Sequence, residues 1–134
     1  MLMKITIHEQ KMEEMAVIGP LKRGYEVVVY TDDGGNTPHF HVRDIGTHGK
    51  EFESCAEIKT NRYFLHKSNH VEMPRDVRKM LYEFMCQPSE DNVFKTNYAS
   101  VIFEWNRNNS KMKIPFSQDA EVPDYIHIQP QDKK

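Results

Sequence analysis

Cysteine is scarce in this chain of 134 residues, which carries only Cys55 and Cys86. Two cysteines cannot build the disulfide framework that holds small secreted domains together. Long apolar runs are missing too, because the longest, at residues 27–30, is far too short to span a bilayer. Residues 1–9 contain one lysine and too short an apolar stretch for a secretory signal. These absences predict a cytoplasmic protein with reduced thiols.

A surplus of basic residues is also missing. The 18 Lys and Arg residues are outnumbered by 20 Asp and Glu, and no basic run exceeds two residues. Proteins that coat nucleic acid draw affinity from neutralised phosphates, so this balance disfavours non-specific nucleic-acid binding and leaves room only for a small local basic patch. We therefore expect a protein partner or self-association, and no membrane contact.

The length of the chain suits one domain with a modest core. Four runs rich in β-forming residues are separated by connections too short for crossovers, which predicts an antiparallel meander. The fold class we expect is α+β, with about four strands and two C-terminal helices packed on one face. The predicted strands cover residues 25–31, 38–44, 51–59 and 63–66.

Two helices are predicted after the strands. Pro74 suits the first position of a helix that runs to residue 87, and Ser89 is a candidate N-cap for a second helix that ends near Trp105. A strand at residues 101–103 is the alternative for part of that second segment. We expect the α+β domain to cover residues 15–107. An N-terminal extension would precede it at 1–14, and a partly flexible C-terminal extension would follow at 108–134.

The chemically distinctive segment is the predicted strand that contains His39 and His41. Alternate residues of a strand point to the same face, so both histidines and Arg43 should share a polar face, opposite Phe40 and Val42. Two histidines at this spacing are close enough to share a divalent metal such as zinc. Such a site needs a third ligand. The candidates are Asp32, Asp33, Glu53, Cys55, Glu57, His66 and His70.

Three interpretations of the histidine pair remain open. His39 and His41 can be solvated or half-buried residues that hydrogen-bond cross-strand carboxylates such as Glu53 or Glu57. They can act without metal, in proton transfer or in binding a phosphate or a partner. They can also be metal ligands. Nearby, Asp32 and Asp33 are explained by turn chemistry, since they lack the spacing of a calcium loop.

A family resemblance involves the same strand. The chain resembles an uncharacterised family of short bacterial and phage proteins, domain of unknown function 4160, over about residues 15–107. The pieces that match are Gly24-Tyr25, residues 27–30, Asp32-Asp33, the Pro-His-x-His-Val string at 38–42, the strand at 51–59, the helix at 74–87 and Trp105-Asn106. The chain departs from the family pattern at Thr37, where a proline is usual.

The resemblance implies a regulatory or interaction role, because genes of this family often stand beside small partner proteins in toxin–antitoxin-like arrangements. Two functional hypotheses follow. The first is a small binding or regulatory module, toxin–antitoxin-like or a phage accessory protein, that uses its polar sheet face or its extensions. The alternative is a metal- or histidine-dependent phosphoester hydrolase, with His39, His41 and Arg43 as the catalytic residues.

Overall fold

A single antiparallel sheet is the centre of the fold. The computed structural model describes residues 15–21, 24–30, 37–44, 53–60, 63–64 and 73–123. Five strands lie in chain order across the sheet, and two helices follow them. The strands are β1 (Met15–Pro20), β2 (Tyr25–Tyr30), β3 (His39–Asp44), β4 (Glu53–Glu57) and β5 (Tyr63–Phe64), and the helices are α1 (Arg75–Met85) and α2 (Asn97–Asn108). The predicted α+β class is confirmed.

Strand β1 is an addition to the four strands that the sequence predicts. It pairs with β2 along one edge of the sheet, with an irregularity in register between Val17 and Gly19. Glycine and proline usually mark turns, but an edge strand tolerates proline because its outer side needs no ladder hydrogen bond. Gly19 also lies against a helix, since a Cβ atom there would come within 3.0 Å of Cζ of Phe84.

One face of the sheet packs against the helices to form the core. Register places Val27 beside Val42, and Phe40 beside Ala56, so their side chains share this face. The predicted anchoring role of Phe40 and Val42 is therefore confirmed. The buried helical residues of the same cluster are Val77, Leu81, Met85, Tyr98, Val101, Ile102 and Trp105.

Helix α2 begins later than the sequence predicts. Its N-cap is Thr96, whose side chain accepts a hydrogen bond from the backbone N–H of Ala99 at 3.0 Å. The prediction of Ser89 as the cap is wrong, because its hydroxyl stabilises a loop instead. It accepts from the N–H of Phe94 at 3.0 Å and donates to Asp91. The alternative strand at residues 101–103 is also wrong, since α2 continues through them.

The segment that follows α2, residues 113–123, is called here the C-terminal strap. The side-chain amide of Asn106 on α2 donates to the carbonyl of Ile114 and accepts from its N–H, both at 2.8 Å. Gln118 makes a similar pair of bonds, to the carbonyl of Val93 and from the N–H of Lys95. These residues belong to the predicted C-terminal extension, so its described part is fastened along α2. Within the described ranges, no helix is long and apolar enough to cross a membrane.

Candidate functional site

Strand β3 is the middle strand of the sheet and carries the predicted site residues. Neighbouring strands place a polar side chain beside each of them: Glu57 pairs with His39, Cys55 with His41, and Glu53 with Arg43. On the other side, Arg43 pairs with Glu26 of β2. The second face of the sheet therefore brings together acids, bases and a thiol from three strands.

The second face is buried at its centre. The exposed fraction of His39 is 1% and that of His41 is 0%, and the neighbouring Val28 and Cys55 are fully buried as well. The prediction that the histidines are solvated or half-buried is therefore wrong. Both lie on the central strand of the sheet, where strands flank them on either side. Arg43, near the end of the strand, is 31% exposed.

His41 is held against a carboxylate. Its Nδ1 atom lies 2.6 Å from Oε2 of Glu53. The contact is short but does not have the geometry of an aligned hydrogen bond. The edge of the Tyr30 ring completes the environment, since the two ring centroids are 4.6 Å apart and nearly perpendicular. Glu53 therefore lies beside His41, but the predicted hydrogen bond between them does not have hydrogen-bond geometry.

His39 has a defined tautomer. Its Nδ1 atom lies 2.7 Å from the carbonyl oxygen of Thr37. Because a carbonyl oxygen only accepts, Nδ1 carries the proton, and in the neutral ring Nε2 is the acceptor. The His39 ring lies 5.2 Å from that of His41 and 5.6 Å from that of Trp105 on α2, measured between ring centroids. The two imidazoles therefore converge within the fold.

Arg43 belongs to an ion pair on the same face. Its Nε–H donates to Oε2 of Glu26 at 2.7 Å, and Nη1 makes a longer contact of 3.4 Å with the hydroxyl of Tyr30. Burial alone would lower the pKa of Arg43. The bond to Glu26 and the charges of Glu26 and Tyr30 outweigh it, so the pKa is raised and Arg43 stays cationic.

A metal site is not formed by the residues that the structure describes. In these ranges no three His, Cys, Asp or Glu side chains come together in a way that could hold a metal ion. Four of the candidate third ligands, Asp32, Asp33, His66 and His70, lie outside the described residues. Zinc at His39 and His41 therefore stays a prediction.

The sequence did not point to Glu26 and Tyr30 as members of this cluster. Both lie on β2, where Glu26 is the register partner of Arg43 and the Tyr30 side chain contacts His41 and Arg43. A period-two pattern in β2 was visible, since Tyr30 follows Val28 and Glu26 on one face. Only the pairing of β2 with β3 identifies them as neighbours of Arg43 and His41.

A second candidate site lies on the surface beside α2. Phe94, Phe103 and Phe116 form what we call the aromatic patch. Their ring centroids are 5.2 Å apart for Phe94 and Phe103, 6.2 Å for Phe94 and Phe116, and 6.0 Å for Phe103 and Phe116. Phe103 is 42% exposed and Phe116 is 41% exposed. Three rings in mutual contact therefore face solvent together.

Hydrogen bonds hold each part of the aromatic patch in place. The loop before α2 carries Phe94, and its N–H and carbonyl both bond to Ser89. The strap carries Phe116, and Asn106 and Gln118 fasten it on either side of that residue. The patch is thus already formed in the isolated chain, which lowers the entropy cost of binding.

A small cavity of about 90 Å³ lies elsewhere, between the end of β1 and helix α1. Its lining is mostly apolar and includes Leu21, Met80 and Phe84, with Glu83 and Gln87 as polar members. None of the predicted site residues lines it. The cavity is smaller than those that hold organic ligands, and it adds no chemistry to the histidine strand.

Comparison with known proteins found no relative of this chain. No protein-family model, no curated protein and no solved structure matches this chain. The resemblance to domain of unknown function 4160 therefore stays a prediction, and the function has to be argued from the two sites described above.

Proposed function

We propose that this chain is a protein-binding module with a regulatory role, and that the aromatic patch is its binding surface. The patch carries the proposal, because three adjacent, partly exposed phenylalanine rings are costly to leave in water unless a partner covers them. Aromatic residues are also enriched in protein interfaces. The hydrogen bonds that hold Phe94 and Phe116 in place favour binding, because an already formed patch loses less entropy when a partner binds.

The burial of the histidines supports the same proposal. A substrate has to reach catalytic side chains, and His41 is fully buried against Glu53 and Tyr30. On this account the predicted polar sheet face is part of the structure of the module and not its contact surface. Two contacts between neighbouring strands belong to this face, Arg43 with Glu26 and His41 with Glu53.

The family resemblance suggests the setting of this function. A toxin–antitoxin-like pair or a phage accessory protein acts by contact with a second small protein, and a cytoplasmic location suits either role. The resemblance and the location rest on sequence alone. They indicate the product of the neighbouring gene as the partner to test first.

Coexpression with the product of the neighbouring gene tests the proposal. The wild-type chain should co-elute with that protein at a fixed ratio, and the Phe103→Ser/Phe116→Ser variant should lose it. Val17→Ser is the matched control, because Val17 is an exposed apolar residue on β1 and not in the patch. If the double variant retains all the associations of the wild-type chain, the patch is not a binding surface and the proposal fails.

A phosphoester hydrolase is the second candidate function. It is favoured by the convergence of the two imidazoles at 5.2 Å, with the Nδ1 proton of His39 fixed by Thr37. Arg43 stands two residues further on the same strand and would bind the phosphate anion. His39 and His41 would then serve as metal ligands or as the acid and base.

Metal analysis of the untagged protein tests the metal-dependent form of this candidate. About one divalent ion per chain, lost in a His39→Ala/His41→Ala variant, would support it. A metal content near zero, together with no phosphatase activity in the wild-type chain, would reject both forms. Since both histidines are buried, the circular dichroism spectrum of the variant has to be compared with that of the wild type.

A further inference from the structure

The charged residues at the rim of the aromatic patch indicate what kind of partner covers it. Lys95 follows Phe94 directly, and Asp119 lies three residues after Phe116. The Nζ atom of Lys95 lies 2.9 Å from Oδ1 of Asp119, although the two side chains are 66% and 77% exposed. A cation and an anion therefore lie side by side at the rim, both exposed to solvent.

Helix α2 adds a second pair, in which the cation is exposed and the carboxylate is mostly buried. Arg107 lies one helical turn after Phe103, and its Nη2 atom lies 3.1 Å from Oε1 of Glu104. Like the first pair, this one carries no net charge. A partner surface of a single sign would attract one member of each pair and repel the other. The rim thus disfavours both a strongly acidic and a strongly basic partner.

A second copy of the same chain satisfies this charge pattern. In a two-fold arrangement each patch meets an identical patch. If an ion pair lies beside the symmetry axis, its cation faces the anion of the same pair in the other copy. Lys95 of one copy then lies near Asp119 of the other, and the reverse contact forms by symmetry. The aromatic rings of one copy can pack against those of the other, because edge-to-face contacts of rings are favourable.

We propose that the aromatic patch is the interface of a two-fold dimer of this chain, with Lys95 of each copy near Asp119 of the other. The inference rests on the proposed protein-binding function and names a second copy as the occupant of the patch, which any other protein that binds there has to displace. Three rings and two ion pairs make a small contact area. The dimer should therefore be weak, with a dissociation constant between about 1 and about 100 µM.

Sedimentation equilibrium of the full chain measures this dimer. The Phe103→Ser/Phe116→Ser variant should raise the dissociation constant at least about thirtyfold, because aromatic anchors dominate small interfaces. Val17→Ser should leave it within about threefold, as expected for a side chain outside the contact. A wild-type chain that is monomeric at about 1 mM would overturn the inference. So would a dimer that survives the double substitution in folded protein.

Charge variants test the arrangement of the two copies. Lys95→Glu and Asp119→Lys should each raise the dissociation constant at least about fivefold, since each places like charges together across the axis. An equimolar mixture of the two variants should regain nearly wild-type association, because the contacts between unlike copies are again attractive. Each variant has lost the pair within its own chain, so only contact between copies explains the recovery. No recovery on mixing would overturn the proposed dimer.

The two proposals can fail separately. If the isolated chain stays monomeric but binds the neighbouring gene product through Phe103 and Phe116, the dimer is wrong and the binding function stands. If the isolated chain stays monomeric and the double variant retains every association of the wild type, both are wrong. The first result comes from sedimentation and the second from coexpression, so one experiment does not decide both.

Discussion

The polar side chain of His41 is buried and the apolar side chain of Phe103 is exposed, which is the reverse of what their polarity would suggest. The imidazole of His41 is fully buried in the middle of the sheet, whereas 42% of Phe103 is open to solvent. A buried polar group needs partners in the protein, and His41 has Glu53 and Tyr30. The solvent-exposed part of the Phe103 ring gains nothing from the fold and is available for contact with another molecule. The comparison separates the side chains that hold this molecule together from those that are available for binding.

The largest expected loss of stability comes from replacing a phenylalanine by alanine in the core, and the same replacement in the aromatic patch is its comparison. Phe40 on β3 is fully buried, so Phe40→Ala should lower the free energy of unfolding by about 4 kcal/mol. Phe103→Ala removes a partly exposed ring and should cost about 1 kcal/mol or less. Urea denaturation measures both. Equal losses would show that the aromatic patch is part of the stabilising core.

Tyr98 on α2 tests the buried polar groups through pH. Burial raises the pKa of Tyr98 to about 12, above the 10.0 of an unperturbed tyrosine. The unfolded chain therefore loses the proton first as pH rises, so stability is intact below pH 10 and falls from there towards pH 12. The full loss, reached above pH 12, should be about 3 kcal/mol, because the two pKa values differ by about two units at about 1.4 kcal/mol each.

Tyr98→Phe removes this pH dependence. It also removes the hydroxyl that donates to the carbonyl of Ile58 at 2.6 Å, so it should cost about 1 kcal/mol at neutral pH. Denaturation curves at several pH values compare the two proteins. An equally steep alkaline loss in the variant would show that another group is responsible.

The ion pair between Arg43 and Glu26 should contribute less. Arg43→Met should lower the free energy of unfolding by about 1.5 kcal/mol, because it leaves a mostly buried carboxylate without its donor. Glu26→Gln in the same background should then cost less than it does alone. A double-mutant cycle measures this coupling. If the two effects simply add, the pair does not stabilise the second face of the sheet.

The smallest effect is expected at the strap. Asn106→Ala removes both bonds to Ile114 and should cost about 1 kcal/mol. Hydrogen exchange at the Ile114 amide should become faster, and the position of Phe116 less fixed. Asn108→Ala is the matched control, because its side chain bonds to Glu104 one turn earlier on the same helix. Equal exchange in the two variants would show that Asn106 does not fasten the strap.

Local patterns predicted the sheet and helix α1 well. The alternation of Phe40 and Val42 with the histidines identified the core face of β3. Pro74 marked the start of α1 to within one residue. The start of α2 was missed, because the hydroxyl of Ser89 binds a backbone N–H in a loop as readily as at a helix end. The strand β1 was missed because glycine and proline are read as turn signals.

The sequence by itself determined which side chains share a face, because the two-residue and 3.6-residue periods are properties of a short stretch of backbone. It also singled out His39 and His41 by their spacing. Only the tertiary structure decided that these histidines are buried, since side chains from other elements, such as Tyr30 and Trp105, pack against them. The aromatic patch is likewise a tertiary feature, because its rings come from a loop, a helix and the strap. Contacts between segments distant in the chain leave no periodic pattern in the sequence.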